Sequence, residues 1–362
     1  MTPSQYTADV SVVGLGRVGL PLALSFADRG LRVVGIDNDA GRLDAVREAR
    51  MPFEETGGQE LLERVHASER LSLSDRVADA AGARHIVITL GTPSFSHIEI
   101  DMRDIRSALD DLLGVLAPGH SLILRSTIAP GTTEFVAGYL AKHRGFEIGE
   151  DVFVAHAPER IAAGRFIEEI DTLPCIVGGV GTRSGEIAGE LFGAFDAPIV
   201  QTTPVQAELA KIWTNILRYA NFALPNLLMM DCERYAANVF EVIDLINRDY
   251  PRGGIAQPGL TAGTCLRKDF AFSEERSAAP GMLLAVSRVN ESVPLFLLEG
   301  VKRRLGPLTS RKVAVLGLAF DISCNLRPAS RRVALAVGTS AATLAVLAVL
   351  VLSIAPGHVN LS

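Results

Sequence analysis

The cysteine at position 265 has the clearest chemical potential in this sequence. It lies in the segment Ala-Gly-Thr-Cys-Leu-Arg-Lys-Asp at 262–269. A thiolate can trap an aldehyde as a thiohemiacetal, and loss of a second hydride then gives a thioester that water hydrolyses. Gly259, Gly263 and Lys268 indicate a loop in a cationic setting, which lowers the pKa of a thiol. The simpler alternative is a small buried apolar residue, the commoner fate of a free cysteine.

A glycine-rich segment near the N-terminus is the second chemical signal. Its sequence is Gly-Leu-Gly-Arg-Val-Gly at 14–19, between a predicted strand and a predicted amphipathic helix. In this pattern the first glycine makes a tight turn and the second lets the backbone approach a pyrophosphate. The third lets the helix pack closely on the strand. The segment predicts a dinucleotide site with contacts from Gly14, Gly16, Arg17, Val18 and Gly19.

Asp37, at the end of the next predicted strand, indicates which dinucleotide binds. A carboxylate there accepts hydrogen bonds from a ribose diol and repels a 2′-phosphate, so NAD is predicted over NADP. Arg42 follows shortly after and can still contact an adenosine phosphate. Three turn glycines alone are a weak pattern, and it is the strand, the helix and Asp37 together that predict the cofactor site.

Several polar residues follow other predicted strands, at the edge where ligands of doubly wound sheets gather. Thr92 and Thr127 follow two of these strands, although ordinary loop chemistry explains both equally well. Glu159 follows a third strand. It can position a water, act as a base, or merely pair with the adjacent Arg160.

Three further candidate residues lie one helical turn from another candidate residue. Lys211 and Asn215 lie one turn apart on a long predicted helix and therefore share a face. On spacing alone, a solvated helix surface explains them. Asp269 follows Cys265 by one helical turn, and a cap at a helix start explains it equally well.

These residues depend on elements that hydrophobic periodicity predicts. Short apolar runs alternate with helical stretches, which is typical of an α/β fold with an N-terminal, doubly wound, mostly parallel Rossmann-type sheet. From residue 204 one long central helix begins, which Pro225 is expected to kink or divide, and a helical middle domain follows. Predicted strands lie at 9–13, 31–36, 85–90, 121–126, 152–156, 175–177 and 198–201, and predicted helices include 102–116 and 181–195.

The same patterns predict the domain boundaries. The strand and glycine turn at 311–320 indicate a vestigial start of a further α/β domain, and a hydrophobic tail follows it. We expect an NAD-binding Rossmann-type domain at 1–203, a central helical dimerisation and catalytic domain at 204–305, a domain remnant at 306–332 and the tail at 333–362.

The composition narrows the class of protein. Of 362 residues 48% are hydrophobic, and the net charge of −6 argues against a nucleic-acid surface. The four cysteines form no Cys-x-x-Cys pair and no dense framework, so free thiols in a reducing cytoplasm are expected. No metal site is predicted. The first residues lack the basic and apolar runs of a signal peptide.

Eight separated segments together resemble the UDP-glucose/GDP-mannose dehydrogenase family, in the family's order. They are Val-Gly-Leu-Gly-Arg-Val-Gly-Leu-Pro (13–21), Pro-Phe-Glu-Glu-Thr-Gly (52–57), Gly-Thr-Pro (91–93), Ser-Thr (126–127), Ala-Pro-Glu (157–159), Glu-Leu-Ala-Lys with Asn215 (208–215), Gly-Thr-Cys-Leu-Arg-Lys-Asp (263–269) and Val-Leu-Gly-Leu-Ala-Phe (315–320). The segment 157–164 is more similar to the branch that oxidises UDP-N-acetylhexosamines such as UDP-N-acetylmannosamine. The UDP-glucose branch usually carries a second acidic residue where this chain has Ala163.

The resemblance implies a cytoplasmic nucleotide-sugar 6-dehydrogenase. Such an enzyme oxidises a UDP-hexose or UDP-N-acetylhexosamine to the uronic acid for surface polysaccharide, with two NAD per sugar. Cys265 is then the nucleophile, and Lys211 and Asn215 stabilise the oxyanion. Asp269 and Thr127 hold a water that relays protons.

The resemblance also implies contacts with the sugar nucleotide and a partner. Glu159 would help thioester hydrolysis, and Arg252 would meet a diphosphate. The long helix is the family's dimerisation element, so a homodimer is implied. The implied substrate contacts are Glu159, Arg160, Lys211, Asn215, Tyr250, Arg252 and Gly259.

The C-terminal part departs from the family. After about residue 320 the expected nucleotide-sugar-binding domain does not follow, so a C-terminally truncated member is expected, with 306–332 as the remnant of that domain. Within the tail, 333–355 is an uncharged run that exceeds the about 20 apolar residues of a bilayer span. Three origins stay open: a shifted reading frame or natural truncation, a core helix, and, less favoured, a membrane anchor held at the cytoplasmic face by Arg331 and Arg332.

Two other functions stay open at this point. The missing domain would fit an inactive remnant that binds NAD or dimerises with a full-length paralogue. A two-electron hydroxyacid-type dehydrogenase would use Lys211 and Asn215 and leave Cys265 structural.

Overall fold

The computed structural model describes residues 6–91, 103–162, 164–252, 254–261, 264–274, 277–309, 314–316 and 348–350. The chain divides into two compact units, Met1–Thr214 and Asn215–Ser362. The first unit combines strands and helices, and the second is mainly helical where it is described.

The first unit is built on one eight-stranded sheet. Its strands are β1 (Ala8–Val13), β2 (Val33–Ile36), β3 (Leu71–Ser74), β4 (Ala83–Ile88), β5 (Ser121–Leu124), β6 (Phe153–His156), β7 (Cys175–Gly179) and β8 (Ile199–Thr202). Their order across the sheet is β3-β2-β1-β4-β5-β6-β7-β8. Every neighbouring pair is parallel except β6 and β7. This confirms the predicted α/β fold with a doubly wound, mostly parallel sheet.

Helices connect these strands and cover the sheet. They are α1 (Gly19–Asp28), α2 (Ala40–Arg47), α3 (Gly58–Ser68), α4 (Arg103–Leu113), α5 (Thr132–Arg144), α6 (Phe166–Glu169) and α7 (Thr182–Phe192), with a 3₁₀ helix at Val77–Gly82. The long helix α8 (Pro204–Arg234) follows the last strand.

The sheet has a hydrophobic core on each face because side chains alternate along a strand. On β5, Ile123 packs into one core cluster while Leu122 and Leu124 pack into the other. All four β5 residues are buried. Strands covered on both faces read as short continuous apolar runs, which is why the sequence predicted them.

Strand β3 was not predicted. Its sequence Leu-Ser-Leu-Ser has no apolar run, and its residues are half-buried or exposed because it lies at the edge of the sheet. Predicted strand ends also differ by a few residues. For example, the predicted strand 31–36 begins at Val33.

Helix α8 continues through Pro225 without interruption, so the expected division does not occur. A proline removes one N–H donor from a helix. Buried side chains on both sides of Pro225, among them Tyr219 and Asn226, anchor the flanking turns. The division between the two compact units falls within this helix, between Thr214 and Asn215.

The described part of the second unit continues with three helices and two short strands. The helices are α9 (Val239–Asn247), α10 (Thr264–Glu274) and α11 (Met282–Leu305). The strand predicted within 311–320 is confirmed as β9 (Ala314–Leu316), which pairs antiparallel with β10 (Ala348–Leu350). The rest of the predicted remnant and tail lies outside the described residues. Among the residues that the structure describes, no helix has both the length and the apolar character to cross a membrane.

Candidate active site

The glycine segment connects β1 to α1 in a turn suited to a phosphate. Gly14 has a φ of +95°, a conformation that side chains disfavour. A Cβ atom on Gly19 would overlap the Gly14 carbonyl oxygen and the Thr89 hydroxyl, so the helix start packs directly on the turn. Gly16 has no atom within 4 Å of the Cβ position, which leaves that face open to a ligand. These features fit a dinucleotide pyrophosphate at the start of α1.

Asp37 is buried beside this turn, at the end of β2. Its Oδ2 accepts hydrogen bonds from the Leu15 amide and the Arg42 guanidinium, both at 2.6 Å. Its Oδ1 accepts from the Asp39 amide at 2.9 Å. The carboxylate is therefore fixed next to the glycine turn, as the NAD prediction requires. Arg42 forms an ion pair with Asp37, so its predicted contact with an adenosine phosphate stays a prediction.

The other predicted cofactor contacts surround the start of α1. Val18 directly precedes the helix. The Arg17 guanidinium lies 5.4 Å from the centroid of the Phe53 ring. In the same segment as Phe53, Glu55 accepts a hydrogen bond from the Phe166 amide at 2.6 Å, and burial raises the pKa of its carboxyl. Thr92 lies outside the described residues.

A buried ion pair joins the ends of β5 and β6. The Arg125 guanidinium donates to Glu159 Oε2 at 2.5 Å and to the Ala157 carbonyl at 3.1 Å. It also lies 4.8 Å from the centroid of the Phe192 ring. The other Glu159 oxygen accepts from the Ile161 amide at 2.6 Å. Both carboxylate oxygens thus already have partners within the chain.

The suggested pair between Glu159 and Arg160 is wrong. Arg160 donates instead to the Pro174 carbonyl at 2.6 Å. Glu159 is buried, so its charge needs a desolvated partner, and Arg125 extends from the neighbouring strand to supply it. The nearby Cys175 is a free thiol whose pKa is raised by burial.

His156, the last residue of β6, is a neutral buried histidine. Its Nδ1 donates to the Leu124 carbonyl at 2.8 Å. Burial, aided by the positive charges of Arg125 and Lys211, lowers the pKa of His156 to about 3, although the hydrogen bond to the Leu124 carbonyl acts in the opposite direction. Lys211 therefore lies close enough to the carboxyl end of the sheet for its charge to act on this imidazole.

Glu208 caps helix α5 from one turn before Lys211. Its Oε1 accepts from the Thr133 amide at 2.9 Å and from the Thr133 hydroxyl at 2.5 Å. Its Oε2 accepts from the Gly131 amide at 2.6 Å. Burial raises the pKa of Glu208 despite these bonds. The cap fixes the start of α8 to the loop after β5, which carries the half-buried Thr127.

The second unit brings Asn215 and Asp269 together. The Asn215 amide nitrogen donates to Asp269 Oδ2 at 2.5 Å, and both residues are buried. Lys268 Nζ lies 3.6 Å from Asp269 Oδ1. Asp269 is the sixth residue of α10, so its suggested role as a helix-start cap is wrong. It lies inside the helix because α10 begins before the cysteine.

Cys265 is the second residue of α10, so the predicted loop at this position is a helix start. The side chain of Cys265 lies outside the described part of the structure. The amide groups at a helix N-terminus favour a thiolate in general, and the lowered pKa of the Cys265 thiol stays a prediction. Cys265 and Asp269 are one turn apart on this helix.

The predicted substrate residues of the second unit lie after α9. Arg252 Nε donates to the Tyr250 hydroxyl at 2.9 Å, and both side chains are exposed. Gly259 is held through its backbone by Asn226. Throughout the described ranges, no group of three or more His, Cys, Asp or Glu residues could hold a metal ion.

Sequence reasoning assigned no role to four residues, of which Arg125, His156 and Glu208 lie in the first unit and Asn226 lies in the second. Arg125 and Glu208 lie inside segments that the sequence singled out. However, their partners are 34 and 77 positions away, and no local pattern indicates such pairs.

Family models match the chain over both units. The NAD binding domain of the UDP-glucose/GDP-mannose dehydrogenase family matches residues 8–196, and the central domain of that family matches residues 205–292. The chain belongs to this family. It is accordingly an oxidoreductase whose cofactor is NAD.

Similar proteins span most of this chain. The UDP-N-acetyl-D-mannosamine dehydrogenase of Pyrococcus horikoshii is 33% identical, over 86% of this chain and 76% of its own length. A solved structure of the UDP-D-ManNAc dehydrogenase from P. horikoshii superposes with a TM-score of 0.80, at 33% identity over 86% of this chain and 76% of that one. The UDP-N-acetyl-D-mannosamine dehydrogenase of Campylobacter jejuni is 31% identical, over 86% of this chain and 78% of its own.

A solved structure whose name gives a different substrate is nearly as similar to this chain as those two dehydrogenases are. The structure of a UDP-glucose dehydrogenase from Pyrobaculum islandicum has a TM-score of 0.78 and 30% identity, and the match covers 88% of this chain and 76% of that one. The overall likeness therefore places the chain in the family without choosing its sugar.

Proposed function

We propose that this chain oxidises a UDP-hexose or UDP-N-acetylhexosamine to the uronic acid in a four-electron reaction through Cys265. One observation carries the proposal: Cys265 is the second residue of α10, one turn before Asp269, whose carboxylate accepts a hydrogen bond from Asn215 of the long helix. Bound NAD supplies the hydride acceptor for each of the two oxidations. The alcohol carbon loses two hydrides in total, and water provides the second carboxylate oxygen.

Cys265 is the proposed nucleophile. Its thiolate attacks the aldehyde carbon and forms a carbon–sulfur bond, and the former carbonyl oxygen becomes an oxyanion. Lys211 and Asn215 stabilise that charge, as they do the earlier alkoxide. Loss of the second hydride leaves a thioester, and attack by water breaks the carbon–sulfur bond and releases the acid and the thiol.

The proton acceptors are assigned from their position and type. Asp269 and Thr127 are proposed to hold the water that takes the alcohol proton. The bond from Asn215 fixes the Asp269 carboxylate and keeps it on one side of α10. Glu159 has a different proposed part. Its two carboxylate oxygens accept hydrogen bonds from Arg125 and from the Ile161 amide. Glu159 is therefore proposed to hold the backbone of 157–161 in place, and to contribute to thioester hydrolysis only indirectly.

The proposed substrate is a UDP-N-acetylhexosamine such as UDP-N-acetylmannosamine, which would serve surface polysaccharide synthesis in the cytoplasm. Ala163 supports this choice because the UDP-glucose branch usually carries an acidic residue at this position. Contacts are proposed for Arg160, Tyr250, Arg252 and Gly259, with Arg252 on the diphosphate. Comparing kcat/KM for UDP-N-acetylmannosamine and UDP-glucose tests the choice, and a preference for UDP-glucose would overturn it.

The NADH yield per sugar tests the reaction itself. We expect two NADH per sugar from the purified chain, and no acid from Cys265→Ala. The matched control is Cys232→Ala, since Cys232 is a buried thiol on α8 outside the proposed site. One NADH per sugar would instead show a two-electron dehydrogenase. Binding of NAD without turnover would show a non-catalytic protein.

We also propose that the chain forms a homodimer through α8. Leu217, Leu224 and Leu227 recur at helical spacing along one side of this helix and are 61%, 63% and 47% exposed. An apolar stripe of this kind marks an interaction site, and a second copy of the same helix offers the matching surface. Sedimentation velocity of the purified chain tests the proposal, and a monomer at micromolar concentration would refute it.

A further inference from the structure

Asparagine side chains hold a short loop of the second unit by its backbone, and the first of them is the buried Asn226. Asn226 on α8 accepts a hydrogen bond from the Gly259 amide at 2.9 Å and donates to the Gly259 carbonyl at 3.0 Å. Its amide nitrogen also donates to Asn290 Oδ1 on α11 at 2.9 Å. Asn290 in turn donates to the Tyr219 carbonyl at 2.9 Å. The Asn226 amide thereby uses both N–H groups and its oxygen, as a buried amide must.

Asn247, the last residue of α9, binds the same loop in the same way. Its Oδ1 accepts from the Ile255 amide at 2.8 Å, and its Nδ2 donates to the Ile255 carbonyl at 2.9 Å. The loop 254–261 contains no helix or strand. Its backbone is thus fixed at two points by side chains from two different helices. Unlike Asn226, Asn247 is exposed to solvent.

The position of Asn226 relates this loop to α10. Asn215 and Asn226 are about three helical turns apart on α8 and therefore lie on the same face. Asn215 binds Asp269 of α10, whereas Asn226 binds the loop that precedes α10 in the chain. One face of one helix therefore holds both α10 and the segment that leads to it.

We propose that Asn226 and Asn247 are positioning residues that hold the loop 254–261 in its substrate-binding shape and set the start of α10, which carries Cys265. This inference rests on the proposed function. A loop that is already ordered does not lose conformational entropy when substrate binds, so the clamps improve substrate affinity. They act through the backbone of Ile255 and Gly259 and need no contact with the sugar.

Hydrogen exchange on the full chain without substrate tests the inference directly. The variants are Asn226→Ala and Asn247→Ala, and the control is Asn221→Ala, an exposed asparagine on the same helix. We expect the amides of 254–261 to exchange about tenfold faster or more in both clamp variants, as the loss of two hydrogen bonds would cause. The amides of α8 and α11 should stay protected, and the control should match the wild type.

Two further measurements link the loop to the reaction. We expect the KM for UDP-N-acetylmannosamine to rise about tenfold in Asn247→Ala while the KM for NAD stays within about twofold. The rate at which iodoacetamide modifies Cys265, followed by peptide mass spectrometry, should also change. A merely structural role would alter both KM values and protection throughout the unit together.

The outcomes separate this inference from the proposed function. Unchanged exchange in the loop overturns the inference, and so does a general loss of protection in Asn247→Ala. If Asn226→Ala does not fold, the exposed Asn247→Ala decides alone. A wild-type chain without turnover would refute the proposed function, while the exchange and alkylation measurements still test the clamps.

Discussion

Arg125 joins the carboxyl ends of the neighbouring strands β5 and β6. Its guanidinium holds Glu159 and the Ala157 carbonyl, and its face packs on the Phe192 ring. The side chains of Arg125 and Glu159 are only 3% and 11% exposed. Removal of one partner would leave a buried charge without compensation, which costs far more than the loss of an exposed ion pair.

Replacing Arg125 should therefore destabilise the protein strongly. We expect Arg125→Ala to lower the free energy of unfolding by about 3–5 kcal/mol. The control Arg165→Ala removes an exposed arginine that pairs with Glu168 and Glu169, and it should cost at most about 1 kcal/mol. Urea unfolding followed by circular dichroism measures both. Equal effects of the two substitutions would contradict the assigned role of the buried pair.

The sequence allowed reactive residues to be recognised more reliably than the residues to which they hydrogen-bond. Glu159 was recognised as a candidate, but its neighbour Arg160 was offered as a partner because only local spacing is visible in a sequence. The parallel neighbours β5 and β6 instead bring Arg125 beside it. For Asp269, a helix-start cap was likewise offered as the simpler alternative, because the beginning of α10 was not predictable from its glycine-containing surroundings.

Helix α5 shows how one element positions another. It begins after glycine, which offers no side-chain cap, and Glu208 from α8 supplies the missing acceptors. The negative charge also lies at the positive end of the helix dipole. The start of α8 is thereby tied to the loop that carries Thr127, one turn before Lys211.

Weakening this cap should destabilise the first unit. We expect Glu208→Gln to lower the free energy of unfolding by about 1–2 kcal/mol, because an amide offers one acceptor where the carboxylate offers two. It should also lower kcat through displacement of Lys211. The control Glu134→Gln removes an exposed charge from the first turn of α5 and should cost less than about 1 kcal/mol. Equal unfolding midpoints for the two variants would argue against the cap.

Strands were predictable where the sheet is covered on both faces. Continuous apolar runs mark β1, β4 and β5, and the glycine segment marks the start of α1. The edge strand β3 escaped prediction because packing on one side requires no apolar run. The division that Pro225 suggested does not occur, since α8 stays continuous despite the missing donor, while the alternative of a kink stays a prediction.

On the scale of the whole molecule, α8 presents different chemistry on its two sides. Asn215, Tyr219 and Asn226 are buried against the other elements of the second unit, while Leu217, Leu224 and Leu227 are exposed. This division supports the proposals that α8 carries site residues on its buried side and a dimer contact on its exposed side. The family match over 8–196 and 205–292 shows that both units belong to one enzyme.

A charge in the exposed stripe should separate the proposed dimer. We expect Leu224→Glu to shift the chain to monomer at micromolar concentration, because a carboxylate cannot be buried there without a partner. The free energy of unfolding within the monomer should change by less than about 0.5 kcal/mol, since the side chain is exposed. Phe135→Glu, at an exposed position on α5, is the control. An unchanged sedimentation coefficient for Leu224→Glu would exclude this stripe as the interface.

The leucine side of α8 also has a consequence for temperature. Contacts between aliphatic side chains are driven mainly by water entropy near room temperature and weaken on cooling. The proposed dimer, if held by these three leucines of each subunit, would loosen in the cold and re-form on warming. In a dilute sample kept on ice, the proposed dimer would therefore dissociate reversibly. The temperature at which the sample is kept would then affect the measured activity.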